Sequence, residues 1–158
     1  MTKYSRKYIA TRDIDWFAKV SLLDGREFPV HVASRGTKLP AFVNNKERNR
    51  AIQCVVAKKI ELPLHDELYE DVHYVGFENV ENVSKEDKMY LSSFGEMAHQ
   101  GFYSFDTIEQ GNQKYYMLVA YPSYPKLDDV TLELLSKWQN RNIPDEILEQ
   151  LNHYYGIL

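Results

Sequence analysis

The chain has 158 residues, of which 44% are hydrophobic and 27% charged, and its formal net charge is −4. This composition is typical of a globular protein, and the length suits one domain, so we predict a single domain over residues 1–158, in which residues 1–12 form an arm that either packs by its tyrosines or is flexible. The acidic balance disfavours nucleic acid as a partner, and no apolar run approaches the roughly 18 residues that a membrane span requires. No apolar targeting segment follows the first residues, so we expect a cytoplasmic protein that does not bind membranes.

The first predicted element is a β-hairpin centred on Asp24-Gly25. This dipeptide lies between two apolar runs, and it is typical of two-residue hairpin turns because both of its positions adopt positive φ. A tight turn at this point pairs Ala18 with His31. Because successive side chains of a strand alternate between faces, that register places Asp15 and His31 on opposite faces of the sheet. The sequence therefore argues against an acid–base pair made by these two residues.

Two helices are predicted from their end signals. The first runs from Asn44 to about Ile60 and the second from Ser84 to Gly101, and each begins at a residue that has an acidic residue three positions later. Gly101 suits the left-handed conformation that often ends a helix. The single cysteine, Cys54, falls on the apolar part of the first helix, so we expect it to be buried and not to be a catalytic thiol.

The remaining elements complete the predicted sheet. Aromatic and β-branched residues indicate a strand over residues 72–77, and a second hairpin joins strands over residues 102–109 and 113–121, the latter central in the sheet. Two helices, over residues 128–140 and 144–155, finish the chain. Hairpins in place of regular β-α-β crossovers predict an α+β domain, with a mostly antiparallel sheet of about five strands and helices packed mainly on one face.

Residues 31–37 form the first candidate site. His31 lies near a strand end and is followed by Ser34, Arg35, Gly36 and Thr37, which bring a hydroxyl, a cation and exposed backbone amides close together. The segment resembles the His-Gly-Thr strand of ADP-ribosyltransferases, in which the histidine and the hydroxyl hold the nicotinamide-ribose half of NAD, although it lacks glycine directly after the histidine. The alternative, which we favour, is that His31 packs in the core while Arg35 and Gly36 turn the chain.

No motif points to a metal or a cofactor, and we predict neither. His65, Asp66, Glu67 and His73 lie within nine residues, but they lack the i, i+4 or i, i+2 histidine spacing that zinc and iron sites usually use. A P-loop, a dinucleotide-binding glycine motif, a nucleophile elbow and a paired-cysteine motif are all absent from the sequence. The candidate catalytic residues are His31, Ser34 and Arg35.

Two features favour an interaction protein. The chain contains 12 tyrosines, 7 phenylalanines and 2 tryptophans, and tyrosine is enriched at protein interfaces. Pro29 cannot donate to a β-ladder, so the second strand is predicted to lie at an edge or to carry a bulge, and an edge strand can recruit a partner strand. The predicted binding residues are Arg35, Gly36, Thr37, Tyr121 and Tyr124.

We expect a non-catalytic cytoplasmic protein that binds another protein or itself, for example as a homodimer, of the kind found among bacterial accessory proteins. The alternative is an enzyme or small-molecule binder that uses His31, Ser34 and Arg35 on a nucleotide or an NAD-like phosphorylated ligand. A pocket at these residues would favour the alternative, and a symmetric contact through the tyrosines would favour the interaction protein.

Overall fold

A computed structural model of the protein describes residues 3–11, 13–21, 25–37, 39–40, 43, 46–57, 67–77, 80–124, 131, 133–135 and 143–155. In chain order the elements are α1 (Arg6–Thr11), β1 (Asp15–Ser21), β2 (Glu27–Ala33), α2 (Lys46–Ala57), β3 (Val72–Tyr74), a 3-10 turn (Val80–Asn82), α3 (Lys85–Gln100), β4 (Tyr103–Gln110), β5 (Gln113–Pro122) and α4 (Asp145–Tyr155). Residues 131 and 133–135 are also helical.

The five strands form one sheet in the order β1-β2-β4-β5-β3. The β1–β2, β4–β5 and β5–β3 pairs are antiparallel, and the β2–β4 pair is parallel. The predicted α+β class, with a mostly antiparallel sheet of about five strands, is confirmed. No helix of the described part of the chain is long and apolar enough to cross a membrane.

The second hairpin and the helix before it follow the prediction closely. The Ser84 side chain accepts a hydrogen bond from the Asp87 backbone N–H at the start of α3, and Gly101 ends the helix with a φ of 115°. Both ends are therefore set by residues within one turn of them, as the sequence signals require. The β4–β5 pairing then starts at Gln110 and Gln113.

The first hairpin forms, but its register differs from the prediction by one residue. Phe17, and not Ala18, lies opposite His31. This register puts an odd number of residues between the paired strands, whereas a two-residue turn needs an even number. A shift of one residue exchanges the faces of one strand relative to the other, so Asp15 and His31 share a face, and the prediction that they lie on opposite faces is wrong. Asp24 of the predicted turn lies outside the described residues.

Pro29 does not place its strand at an edge, because β2 lies between β1 and β4, and the β1–β2 register passes Pro29 without a bulge, so the prediction of an edge strand or a bulge is wrong. The Ser34 N–H donates to the Ile14 carbonyl, and alternation from this bond makes Pro29 and Lys19 a pair without hydrogen bonds. The Pro29 nitrogen therefore points towards β4. The ladder with β4 starts only at Val30, so the missing N–H removes no bond from it.

Different helices bury the two faces of the sheet. On the apolar face, the strand side chains pack against Ile147 and Leu151 of α4; this face carries Trp16, Val30, Val32, Phe105 and Leu118. On the opposite face, which we call the site face, α2 and α3 pack over residues that include Phe17, Ala33 and Ala120. Burying one large aliphatic or aromatic side chain contributes roughly 1.5–3 kcal/mol, so both layers contribute to folding.

Helix side chains also bond the backbone at the outer sides of two strands. In α4, the Glu146 carboxylate accepts from the Tyr116 N–H at 2.9 Å, and the Gln150 amide accepts from the Leu118 N–H at 2.7 Å and donates to the Tyr116 carbonyl. In α2, Asn49 and Gln53 donate to the Asp15 carbonyl at 2.8 and 3.0 Å. These groups take the place of a further strand at those positions.

Two smaller predictions concern the arm over residues 1–12 and the cysteine Cys54. The segment predicted as an arm contains α1, and Tyr4 beside it is buried in the core under the apolar face. Cys54 is exposed, so the prediction of a buried cysteine is wrong. The buried positions of α2 are Asn49, Ile52 and Val56, which lie on the side of the helix away from Cys54.

Candidate functional site

Three polar side chains lie next to one another on the site face, at buried positions where apolar side chains would be expected. His31 of β2 pairs with Ser104 of β4, and Ala33 pairs with Asp106 two positions further along. His31, Ser104 and Asp106 are each at most 2% exposed. Buried polar groups are stable only when they are hydrogen-bonded, so their partners determine what the cluster does.

His31 connects a buried hydroxyl to an accessible carboxylate. Its Nδ1 lies 2.7 Å from the Ser104 Oγ, and its Nε2 lies 2.7 Å from the Asp15 Oδ1. The ring also packs against Phe17 and Phe94, with centroid distances of 5.3 and 6.5 Å. When Asp15 is ionised and the imidazole is neutral, Nε2 donates to the carboxylate and Nδ1 accepts from the hydroxyl. The histidine therefore fixes the orientation of the Asp15 carboxylate.

A second set of bonds surrounds Asp106. Its Oδ1 accepts from the Arg35 Nε at 2.6 Å and from the Thr107 N–H at 2.8 Å, and its Oδ2 accepts from the Tyr90 hydroxyl at 2.6 Å. Burial, and then this hydrogen bond, raise the pKa of Tyr90 well above its ordinary value. The bond to Asp106 also raises the pKa of Arg35. Tyr90 therefore remains a hydrogen-bond donor, and Arg35 remains charged, throughout the neutral range.

The backbone holds Arg35 in place as well. Arg35 has a φ of 49°, the left-handed conformation, which costs roughly 1–2 kcal/mol for a residue with a Cβ. Its N–H donates to the Asp13 Oδ1 at 2.9 Å, and its guanidinium carbon lies 5.4 Å from the centre of the Tyr90 ring. The surrounding contacts thus keep the guanidinium in one position at the end of β2.

These groups border a cavity of about 330 Å³, which we call the site cavity. Its charged and polar lining includes Asp13, Asp15, His31 and Arg35. Its apolar lining includes Met89, Phe94 and Met97 of α3. A cavity that combines an apolar wall with a few converging polar groups is the usual form of a small-molecule site.

The order Asp15–His31–Ser104 resembles a catalytic triad in composition but not in placement. The Asp15 side chain is 45% exposed, whereas Ser104 is completely buried. A serine nucleophile must reach its substrate, and here the hydroxyl is the innermost group. Both ring nitrogens of His31 are also engaged. The arrangement therefore presents the Asp15 carboxylate to the cavity and keeps the Ser104 hydroxyl away from it.

The predicted residues of the segment 31–37 separate into two groups. His31 and Arg35 line the site cavity. The other three build the turn: the Ser34 hydroxyl accepts from the Ile14 N–H at 2.7 Å, the Thr37 hydroxyl donates to the Ser34 carbonyl at 2.6 Å, and Gly36 has a φ of 73°.

The predicted tyrosines lie away from the cavity. Tyr121 is half-buried with the apolar-face core, where its ring stacks on His73 at 4.9 Å and on Tyr103 at 6.3 Å. Tyr124 is exposed beyond the end of β5. Binding by either residue stays a prediction.

Sequence reasoning missed Asp15 as a partner of His31, and it missed Ser104, Asp106 and Tyr90 altogether. One signal was present: Ser104 and Asp106 alternate with Phe105 along the predicted strand over residues 102–109. Of the possible metal ligands named above, His65 and Asp66 lie outside the described residues. Within the described ranges, no group of three or more histidine, cysteine or acidic side chains is placed to hold a metal ion.

Comparisons with known proteins identify no match. No protein-family model, no curated protein and no solved structure matches the chain. The resemblance of residues 31–37 to ADP-ribosyltransferases stays a prediction from that segment, and the geometry of the site cavity carries the functional argument.

Proposed function

We propose that the protein is a non-catalytic binding protein whose site cavity takes a small molecule carrying a positively charged amino group, with Asp15 as its counter-ion. The observation that carries this proposal is the 2.7 Å bond from the His31 Nε2 to the Asp15 Oδ1. That bond uses one carboxylate oxygen and holds the half-exposed group at the border of the cavity. An oriented acceptor of this kind makes strong, charge-assisted hydrogen bonds to an ammonium group.

The charge of the cavity favours a cationic group over a phosphate. Two carboxylates, Asp13 and Asp15, line it against one arginine, Arg35, so a ligand with a net negative charge meets an excess of like charge. A phosphorylated or NAD-like ligand would have to approach the two carboxylates, and like charges in a partly desolvated site repel strongly. The cavity thus suits the small-molecule alternative raised by the sequence, but with a cationic group on the ligand in place of a phosphate.

The apolar lining supports binding of a ligand with a hydrocarbon part. Met89, Phe94 and Met97 form one wall of the cavity. Methionine and phenylalanine side chains adapt to alkyl and aromatic groups by dispersion contacts. At about 330 Å³ the cavity is at the small end of the roughly 300–1,000 Å³ range of ligand pockets, which favours a compact ligand.

Calorimetric titration with isoamylamine and with phenethylamine tests the proposal. Asp15→Asn keeps an oxygen that can accept from His31 but removes the charge, so amine affinity should fall by about tenfold or more, as expected for the loss of a charge-assisted bond. Glu109→Gln, an equivalent change at an exposed position, is the control and should leave affinity unchanged. Equal affinity in the wild-type protein and Asp15→Asn would contradict the proposal.

Protein binding or self-association is the second candidate, and exposed apolar side chains favour it. Met117 pairs across the sheet with Asp106, which also binds the Tyr90 hydroxyl, so Tyr90 and Met117 flank one residue of the site face. Both are exposed, as are Met89 and Tyr115. Light scattering of Met117→Asp against the wild-type protein tests this candidate, because a dimer formed through this face should dissociate while Tyr124→Ser leaves it intact.

A further inference from the structure

We infer that the ligand is a zwitterion of the free amino acid class, with an apolar side chain, whose ammonium group binds Asp15 and whose carboxylate binds Arg35. This inference rests on the proposed function and extends it to the second charge of the ligand. Its basis is that one cavity is bordered by an oriented carboxylate and an oriented guanidinium.

Arg35 has the form of a carboxylate receptor. Its Nε donates to Asp106, and a side-chain hydrogen bond also links Arg35 to Tyr90, which leaves terminal N–H groups that can donate to a carboxylate. A guanidinium edge matches the two oxygens of a carboxylate, which gives a bidentate pair of hydrogen bonds. The side chain is 47% exposed, so a ligand can reach it from the cavity.

Arg35 is also ordered before any ligand arrives. The bond to Asp106, the bond from its own N–H to Asp13 and the ring of Tyr90 fix both its backbone and its side chain. Preorganisation of this kind lowers the entropy lost on binding. Asp106 does not cancel the receptor role, because its negative charge is shared among the Arg35, Tyr90 and Thr107 donors.

The apolar wall of the cavity suits the side chain of the amino acid, the part of the ligand that remains besides its ammonium and carboxylate groups. A compact zwitterion leaves one substituent, and Met89, Phe94 and Met97 line the same cavity as the two charged groups. Three of the five α3 side chains that line the cavity, all except Tyr90 and Ser93, carry no hydroxyl, so a polar substituent would lose more hydration there than an apolar one. The cavity therefore fits amino acids such as leucine, methionine and phenylalanine better than serine or glutamate.

Calorimetry with matched ligands measures separately what the ammonium group and the carboxylate of the ligand contribute to affinity. The probes are L-leucine, L-leucinamide, which keeps the ammonium group but has a neutral amide, and 4-methylpentanoate, which keeps the carboxylate but has no amino group; L-phenylalanine and L-phenylalaninamide form a second pair. We expect each amino acid to bind the wild-type protein at least tenfold more tightly than its amide, and 4-methylpentanoate to show no binding. This comparison uses the unchanged protein, so it does not depend on any variant folding.

Arg35→Gln provides the second readout. It should lower L-leucine affinity to that of L-leucinamide while leaving L-leucinamide affinity unchanged, and thermal unfolding checks that the variant folds. If amino acids and their amides bind the wild-type protein equally, the zwitterion is overturned while the amine-binding proposal stands. If the amino acids, their amides and the simple amines all fail to bind, the proposed function falls, and the inference that depends on it falls too.

Discussion

The two faces of the sheet use the same strands and bury them with different chemistry. Under α4, Val30, Val32 and Phe105 meet apolar side chains, and no group needs a specific partner. Under α3, the intervening residues His31 and Ser104 are just as deeply buried but are held by directed hydrogen bonds. Polar and apolar residues alternate along these strands, as they would in a strand that faces water on one side. Here the polar side faces a helix and a cavity.

This difference bears on the role of the buried polar residues on the site face. Replacing a buried polar network by apolar side chains of similar volume often leaves stability unchanged or raises it. The network around His31 and Asp106 is therefore not explained by stability alone. Its alternative use is to position Asp15 and Arg35 at the site cavity, and the following experiments separate the two uses.

The largest expected effect comes from the apolar face. Phe105 is completely buried, so Phe105→Ala should lower the free energy of unfolding by about 3–5 kcal/mol through the cavity that it leaves. Ser104→Ala, at its neighbour on the site face, should cost less, about 1–3 kcal/mol, because His31 Nδ1 loses its buried hydrogen-bond partner. Urea denaturation measures both values. Equal losses would show that the two faces contribute to folding in the same way.

Removal of the Asp106 carboxylate should have the next largest effect. Asp106→Ala leaves Tyr90 and the half-exposed Arg35 without their acceptor and should cost about 2–3 kcal/mol in urea denaturation. The pKa of Tyr90 should also fall towards its ordinary value in an ultraviolet titration, because the bond to Asp106 helps to raise it. Asp13→Ala, at an exposed carboxylate, is the matched control and should cost less than about 1 kcal/mol. An unchanged Tyr90 titration in Asp106→Ala would show that burial alone sets that pKa.

A smaller change in stability should accompany a large loss of ligand affinity. The double variant His31→Leu, Ser104→Ala removes both partners of one buried bond, so its free energy of unfolding should stay within about 1 kcal/mol of the wild-type value. Without His31, the Asp15 carboxylate loses its fixed orientation, and L-leucinamide binding should weaken at least tenfold in calorimetry. Strong destabilisation with unchanged binding would mean that the network serves folding.

The smallest effect appears only at high pH and compares one tyrosine from each face. Burial raises the pKa of Tyr74, on the site face, and of Tyr116, on the apolar face, to about 12. Because the pKa is higher in the folded protein than the value of about 10 in the unfolded chain, each protonated tyrosine contributes to the free energy of unfolding. That contribution is fully present below pH 10 and is lost as the pH rises towards 12. Melting temperatures between pH 8 and 11 should therefore fall above pH 10, and less steeply in Tyr116→Phe. An equally steep fall in that variant would exclude Tyr116 as a source.

Local signals account for the parts of the fold that the sequence predicted correctly. The ends of α3 depend on Ser84, Asp87 and Gly101, and the second hairpin depends on residues next to its turn. The register of the first hairpin depends on a turn length that Asp24-Gly25 does not determine by itself, and an error of one residue separated Asp15 from His31.

The candidate site was harder to predict because it is assembled across the chain. Its central contact joins His31 to Ser104, 73 positions later, through a parallel pairing of β2 and β4. No periodicity within either strand specifies that pairing. Sequence reasoning could therefore name His31 and Arg35 as chemically interesting, but it could not identify the carboxylates that they contact.

The helix side chains that bond the strand backbones have a consequence for assembly. Glu146 and Gln150 occupy the backbone groups of Tyr116 and Leu118 that an incoming strand would need, and Asn49 and Gln53 do the same at the Asp15 carbonyl. A peptide that extends the sheet at these positions must first displace α4 or α2. Removal of α4 would uncover these backbone groups for pairing with another strand, so α4 protects this side of β5 against edge-to-edge association.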